Sequence, residues 1–268
     1  EPGLLWCEFD AATLAHGLAI TGGTDSSTGI AGLTLGGGHG WLEGTLGLTI
    51  DSLLSVDIVT ADGALRHASE SENPDLFWAI RGAGANFGVV TAFEFELHPF
   101  SGTVLGGMIV YPQAMLRDAL KLYREFRKTE PDELITYAEV ITLPDGTPVV
   151  AFIPCYNGDL EAGKQAIAPL RALGEPMIDT VAPMPYAEMQ VLLEAAIPKH
   201  VQNYWKSGLG IGISDGAIDV LAELVPRVPS PLTAIAFADF NGASRRVSSS
   251  ATANPFRDAE YELVMLSM

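Results

Sequence analysis

Apolar residues return along this chain with two different periods, and each period marks out elements. From Leu116 through Leu120, Tyr123 and Phe126 they recur every three or four positions, which predicts an amphipathic helix over 113–128. Shorter helical patterns are read at 8–16, stopped by Gly17, at 159–172, ending at Gly174, near 185–194 and near 215–225. Asn73-Pro74-Asp75 reads as a further helix start, with Pro in the first turn. Strands are expected at 18–21, at 52–60 and 64–68 around Ala61-Asp62-Gly63, at 89–97, and near 103–110. More are expected at 134–142 and 147–155, flanking Pro144-Asp145-Gly146, and at 232–240 and 260–266. Hairpins with interspersed helices predict an α+β fold rather than a doubly wound parallel sheet. The texture changes after His98-Pro99, which divides the chain into domains 1–100 and 101–268.

Glycine breaks this pattern in one place. Residues 21–50 hold 10 of the 28 glycines, without a collagen period and without the Ser-rich polarity of a flexible linker. Leu33, Leu35, Trp41 and Leu42 flank Gly36-Gly37-Gly38, so the segment is expected to be packed. It also lacks cations: no Lys or Arg precedes Arg66, while Glu1, Glu8, Asp10, Asp25, Glu43, Asp51, Asp57 and Asp62 are acidic. A phosphate bound here would be held by backbone N–H groups, each worth about 1.5–3 kcal/mol to a charged oxygen. The residues by themselves leave a ligand cradle and a tightly packed turn equally open.

Charge and motif chemistry narrow the function classes. Of 268 residues, 15 are Lys or Arg and 33 are Asp or Glu, a formal net charge of −18 that argues against nucleic acid and anionic membrane surfaces. The uncharged run Ser26–Leu42 is too short and too rich in glycine to span a bilayer. Cys7 and Cys155 have no ligand spacing and are read as buried free thiols. His39 is read as a turn-lining residue, and His16, His67, His98 and His200 are scattered, so no metal site is expected. Gly82, Gly84 and Gly88 are spaced somewhat like a dinucleotide fingerprint, but a helix precedes them and a strand follows, the reverse of a Rossmann unit. No G-x-S-x-G elbow supports a hydrolase.

The run from Gly17 to Pro99 strongly resembles the FAD-linked oxidases of the berberine-bridge-enzyme and oligosaccharide-oxidase type. The matching words are His16-Gly17-Leu18-Ala19, Thr28-Gly29-Ile30-Ala31-Gly32-Leu33-Thr34-Leu35-Gly36-Gly37-Gly38, Gly40-Trp41-Leu42 and Gly47-Leu48-Thr49-Ile50-Asp51-Ser52-Leu53. They continue with Ala61-Asp62-Gly63, Glu72-Asn73-Pro74-Asp75-Leu76-Phe77-Trp78-Ala79-Ile80-Arg81-Gly82 and Asn86-Phe87-Gly88-Val89-Val90-Thr91. Ala253-Asn254-Pro255-Phe256-Arg257-Asp258-Ala259 is similar to the family's segment after the substrate sheet.

This resemblance implies part of a PCMH-type FAD-binding domain, followed by an antiparallel sheet backed by helices that carries substrate. It implies FAD as cofactor, with Gly22, Gly23, Thr24, Thr28, Gly29, Gly32, Leu33, Gly36, Gly37 and Gly38 along its diphosphate and ribityl chain. Gly88, Val89 and Val90 are expected near its adenine side. The implied reaction is hydride removal from an alcohol or amine carbon of a small molecule or sugar, with molecular oxygen as electron acceptor. Asp239 is the nearest candidate for the base, although the residues alone favour a solvated strand-end carboxylate; Glu139 and Tyr137 are alternatives. The family's N-terminal loop with the flavin-linking histidine does not occur in this chain, and Asp25 stands at the family's cysteine-tether position. A missing N-terminal segment or a second copy of the chain is therefore an expected partner. The alternative reading is a shortened, inactive relative acting as a binding or scaffolding module. A cytoplasmic location is expected, with secretion left open.

Overall fold

Helix α1 spans Trp6–Leu14, starting ahead of the expected Glu8. The Glu8 carboxylate accepts the Leu5 N–H at 2.9 Å, satisfying one of the donors a helix start leaves unpaired. After β1 (Leu18–Ala19) the glycine-dense segment is not the irregular turn its composition suggests. It contains helix α2 (Ile30–Gly36), then α3 (Glu43–Leu46). Glycine disfavours helix by about 1 kcal/mol per residue. That cost is offset here by packing of Ile30 and Leu33 with Trp6 and Ile20. Strands β2 (Leu53–Val59), β3 (Leu65–Ser69) and β4 (Val89–Phe95) form an antiparallel sheet in the order β3-β2-β4. Between the last two lies α4 (Pro74–Ala83), and β5 (His98–Pro99) pairs with β1. Val56, Ile58 and Val90 of the sheet bury against Phe77 and Ile80 of α4.

The strand expected near 103–110 is two, β6 (Thr103–Gly106) and β7 (Ile109–Pro112), separated at Gly107. Helix α5 (Leu116–Phe126) follows, then the hairpin β8 (Leu134–Thr142) and β9 (Pro148–Tyr156), in register from Leu134↔Tyr156 to Thr142↔Pro148. Helix α6 (Leu160–Ile167) is capped by Asp159, which accepts the Ala162 N–H at 2.9 Å. Next come β10 (Ile178–Asp179), β11 (Ala182–Pro185) and α7 (Tyr186–Met189), the last far shorter than the expected 185–194. The chain closes with β12 (Tyr204–Gly210), α8 (Asp215–Leu224), β13 (Ala234–Asp239), α9 (Ala243–Arg246) and β14 (Tyr261–Ser267). Strand β12 has no counterpart in the sequence reading.

The computed structural model describes residues 1–194 and 201–268; His200 lies outside them. These residues form two compact units. The first is Glu1–Gly102 together with Pro185–Val191 and Gly242–Asp258; the second is Thr103–Met184, Leu192–Asn241 and Ala259–Met268. The first segment thus ends beside the expected boundary, but two later stretches, assigned by the sequence to 101–268, return to it. Tyr186 packs edge-on to Phe100, Gln190 donates to Asp10 at 3.1 Å, and Arg257 pairs with Asp51, which accounts for the returns.

The second unit is a nine-stranded antiparallel sheet with the path β10-β7-β9-β8-β13-β14-β12, and β6 and β11 off it. One face carries the core: Tyr123 and Phe126 of α5, Ile167 of α6 and Ile218 of α8 bury against Ala138, Val140, Phe152 and Phe237. Burial of each such large apolar side chain contributes roughly 1.5–3 kcal/mol. Side chains alternate across a strand, so Tyr137, Glu139, Ala236 and Ala238 lie on the face turned away from these helices. No described helix is long and apolar enough to cross a membrane.

Candidate cofactor segment and substrate face

In the first unit, the chain entering the glycine-dense segment is pinned by two threonines. The Thr21 hydroxyl donates to the Gly47 carbonyl at 2.6 Å, and the Thr49 hydroxyl donates to the Thr21 carbonyl at 2.7 Å. Farther on, the N-terminus of α1 holds the 26–28 loop: Trp6 N–H donates to Thr28 O at 3.0 Å and Cys7 N–H to Ser26 O at 2.9 Å. Asp25 turns its carboxylate onto the Ser27 N–H and hydroxyl at 2.7 and 2.6 Å. Between these anchors, the N–H groups of Gly22, Gly23 and Thr24 meet no acceptor among the described residues. Gly22 and Gly23 are buried. Buried N–H groups without a partner are rare and costly, so two in succession, followed by the half-buried Thr24, point to a ligand acceptor.

The expected cofactor residues fall into two groups. Gly29, Gly32 and Gly36 line one exposed face of α2, and a Cβ on any of them would have open space around it. Thr24 and Thr28 are half-buried in the loop ahead of that face. The others are held by packing. Gly22 lies against Trp6 and Gln190, Gly23 against Leu33, and Gly37 against Asn254. A Cβ at Gly38 would strike the Thr49 side chain. Leu33 belongs to the Trp6 cluster. Gly88 is required by the sheet: its φ is 150° and a side chain there would collide with the Val59 carbonyl. Val90 is in the core, and Val89 is exposed.

Three features escaped the sequence reading. His39, read as a turn residue without a carboxylate partner, pairs through Nδ1 with Glu43, four positions along its own segment. Glu43 is fully buried and also accepts the Gly40 N–H and the Ser244 hydroxyl, each at 3.1 Å. Arg257 places a guanidinium into the region whose local sequence has no cation. Cys7, expected to be buried, is exposed, whereas Cys155 is buried.

The donor set suits a dinucleotide. Orphaned amide N–H groups can donate to a diphosphate, and the Cβ-free face of α2 permits close approach of a bulky group. The residues present therefore fit FAD.

In the second unit, the structure corrects the reading of Asp239. It is not a solvated strand-end carboxylate: it is fully buried, on the helix-covered face, in an ion pair with Arg127. The Arg127 guanidinium also donates to the Glu260 and Phe240 carbonyls and lies 5.7 Å from the Tyr123 ring centre. Beside it the carboxyl oxygens of Glu130 are buried. Desolvation, then repulsion from Asp239, raises the Glu130 carboxyl well above the ordinary range. One guanidinium balances one of the two carboxyls, which favours the protonated form of Glu130. An Asp fixed in this way supports the fold. Glu139 is different. It is buried on the opposite face, has no hydrogen-bond partner among the described residues, and burial lifts its carboxyl to about 7. Tyr137 shares that face and is buried as well.

Comparison with known proteins agrees with these features. Residues 1–69 match the family described as FAD binding domain. The chain is 34% identical over its whole length to an FAD-linked oxidoreductase of Dictyostelium discoideum, of which it covers 59%. It is also 34% identical to the (R)-6-hydroxynicotine oxidase of Paenarthrobacter nicotinovorans, over 66% of this chain and 39% of that protein. Among solved structures, the glucooligosaccharide oxidase of Acremonium strictum has a TM-score of 0.87 at 25% identity, over 99% of this chain and 59% of that one. The xylooligosaccharide oxidase of Myceliophthora thermophila C1 gives 0.84 at 26% identity, over 100% and 61%. The chain thus spans about three fifths of the relatives it matches end to end. In sequence and in fold it is similar to the FAD-linked oxidoreductases and the oligosaccharide oxidases.

Proposed function

We propose that the protein carrying this chain is an FAD-dependent oxidase that removes a hydride from an alcohol or amine carbon of a small molecule or sugar and passes the electrons to molecular oxygen. The observation that carries this reading is the orphaned amide run Gly22–Thr24, leading to the open glycine face of α2 within the segment matching an FAD-binding domain. In this reading Gly22, Gly23, Thr24, Thr28, Gly29, Gly32 and Gly36 contact the cofactor. Leu33, Gly37, Gly38, Gly88 and Val90 shape the scaffold around it, and Val89 lies at the expected adenine side. The first unit is the cofactor-binding part and the second the substrate-binding part.

FAD, when bound, supplies the two-electron acceptor and the route to oxygen. The chain's own residues supply proton handling. Glu139 takes the role first assigned to Asp239: it is unpaired, and a carboxyl lifted to about 7 matches the requirement for a general base near neutral pH. Tyr137 offers a phenol on the same face for orienting a substrate hydroxyl or amine.

The test is oxygen consumption with hydrogen peroxide release by the flavin-loaded full-length protein on panels of sugars, alcohols and amines. Substrate-dependent peroxide supports the reading. A loaded protein that turns over no member of any panel contradicts it.

A further inference from the structure

The sheet face that carries Glu139 has a floor and a charge that select among the substrate classes left open above. We propose that this face receives a cationic substrate, one bearing a protonated amine, in preference to a neutral sugar or alcohol; the inference rests on that face being the substrate face.

The floor comes from β13. Its residues on this side are Ala234, Ala236 and Ala238, all small, while Ile235, Phe237 and Asp239 point to the helices. The neighbouring strands are larger. On one side the β8 register puts Glu139 directly beside Ala236. On the other, β14 puts Glu262 beside Ala238, Val264 beside Ala236 and Leu266 beside Ala234. Strand β12 extends the same face with Trp205 beside Leu266, Ser207 beside Val264 and Leu209 beside Glu262. A line of alanines between longer side chains is a trough, with a carboxylate on each bank and an indole beyond.

The charge is one-sided. Lys206 is the one basic residue in the described strands of this sheet, and it alternates onto the other face, where its ammonium lies 5.6 Å from the Tyr204 ring centre. Glu139 and Glu262 therefore face the trough without a cation from the strands. Glu139 is also nine-tenths buried with no hydrogen-bond partner among the described residues. Burying a lone carboxylate is unfavourable, and a ligand ammonium relieves it by charge and by N–H donation together. A hydroxyl offers the donation alone. The Trp205 indole adds a surface that cations favour, and the overall charge of −18 draws cations toward the protein.

The test compares two probes of nearly equal shape, benzylammonium and benzyl alcohol, by titration calorimetry on the full-length protein at about pH 8, where Glu139 is ionised. The amine is expected to bind at least about tenfold more tightly than the alcohol. Glu139→Gln should reduce that preference below about threefold, and Glu262→Gln should reduce it partly, each variant unfolding cooperatively and melting no lower than the parent by more than about 2 °C. Equal binding, tighter binding of the alcohol, binding of neither probe, or a preference that survives both substitutions would overturn the proposal. FAD retention is read on the same samples. An amine preference in a protein that does not hold FAD supports the cation face and removes the oxidase reading; FAD retained without the preference does the opposite.

Discussion

Arg257 donates two hydrogen bonds to Asp51, at 2.6 and 2.8 Å, across 206 residues of sequence, with its side chain almost fully buried. Asp51 in turn accepts the Leu48 N–H at 2.8 Å, and Arg257 donates to the Ser244 carbonyl at 3.2 Å. The returning segment Gly242–Asp258 is thereby fastened to the word Gly47–Leu53. Breaking a buried ion pair from one side leaves the other charge uncompensated, at roughly 3–5 kcal/mol. Arg257→Ala should destabilise the first unit by that order in urea unfolding, and Arg257→Lys should restore only part of it, because a lysine lacks the planar two-pronged geometry.

The two groups of glycines predict opposite outcomes. Gly32 is helical, exposed and unobstructed, so Gly32→Ala should stabilise the fold by up to about 1 kcal/mol while weakening FAD retention, if α2 is the approach face. Gly88→Ala meets the Val59 carbonyl and should abolish folding of the β2–β4 pair. Melting curves and bound-flavin absorbance, measured on both variants, separate packing from ligand contact.

Asp239 and Glu139 should likewise part company. Asp239→Asn strips the Arg127 guanidinium of its charge partner, so it should lower the melting temperature. Glu139→Gln should leave folding intact at neutral pH and lower kcat by about 10²–10⁴-fold, the usual contribution of a positioned base. A Glu139→Gln enzyme with parental kcat would remove Glu139 from proton handling.

The buried carboxyls give stability a definite pH dependence. Desolvation lifts Asp10 to about 6, with the Gln190 hydrogen bond opposing it, and lifts Glu139 to about 7. Both values lie above those of the unfolded chain, so folding favours the protonated forms. Their stabilisation is complete below about pH 4 and is lost as pH rises through about 6 for Asp10 and about 7 for Glu139. A shift of about two units corresponds to roughly 3 kcal/mol per group. Urea midpoints should therefore fall between about pH 5 and pH 8, and Asp10→Asn and Glu139→Gln should each flatten the slope.

Much of this fold is local enough to read from sequence. The β8–β9 hairpin declares itself through two apolar runs around Pro144-Asp145-Gly146, and α5 through the spacing of Leu116, Leu120 and Tyr123. Helix α2 was hidden because Gly29, Gly32 and Gly36 oppose helix locally, and the packing of Ile30 and Leu33 that overrides them is tertiary. Strand β12 was hidden by Gly208 and Gly210 and by its place at a sheet edge, where burial imposes no alternation. The side of Asp239 is legible in the sequence: in Phe237-Ala238-Asp239, alternation assigns the acid to the face of the buried phenylalanine. Arg257 with Asp51 had no local signal, since only the folded chain brings them together.

The central claim is that amides and glycines of residues 22–36 hold a flavin dinucleotide. Its most direct measurement is FAD bound per protein after gel filtration of the full-length protein, parent beside Gly29→Trp and Gly32→Trp, with melting curves to confirm that both variants fold. Near-stoichiometric flavin in the parent, lost in folded variants, is the predicted result. A folded parent that elutes colourless and takes up no added FAD, or variants that keep their full complement, would contradict it.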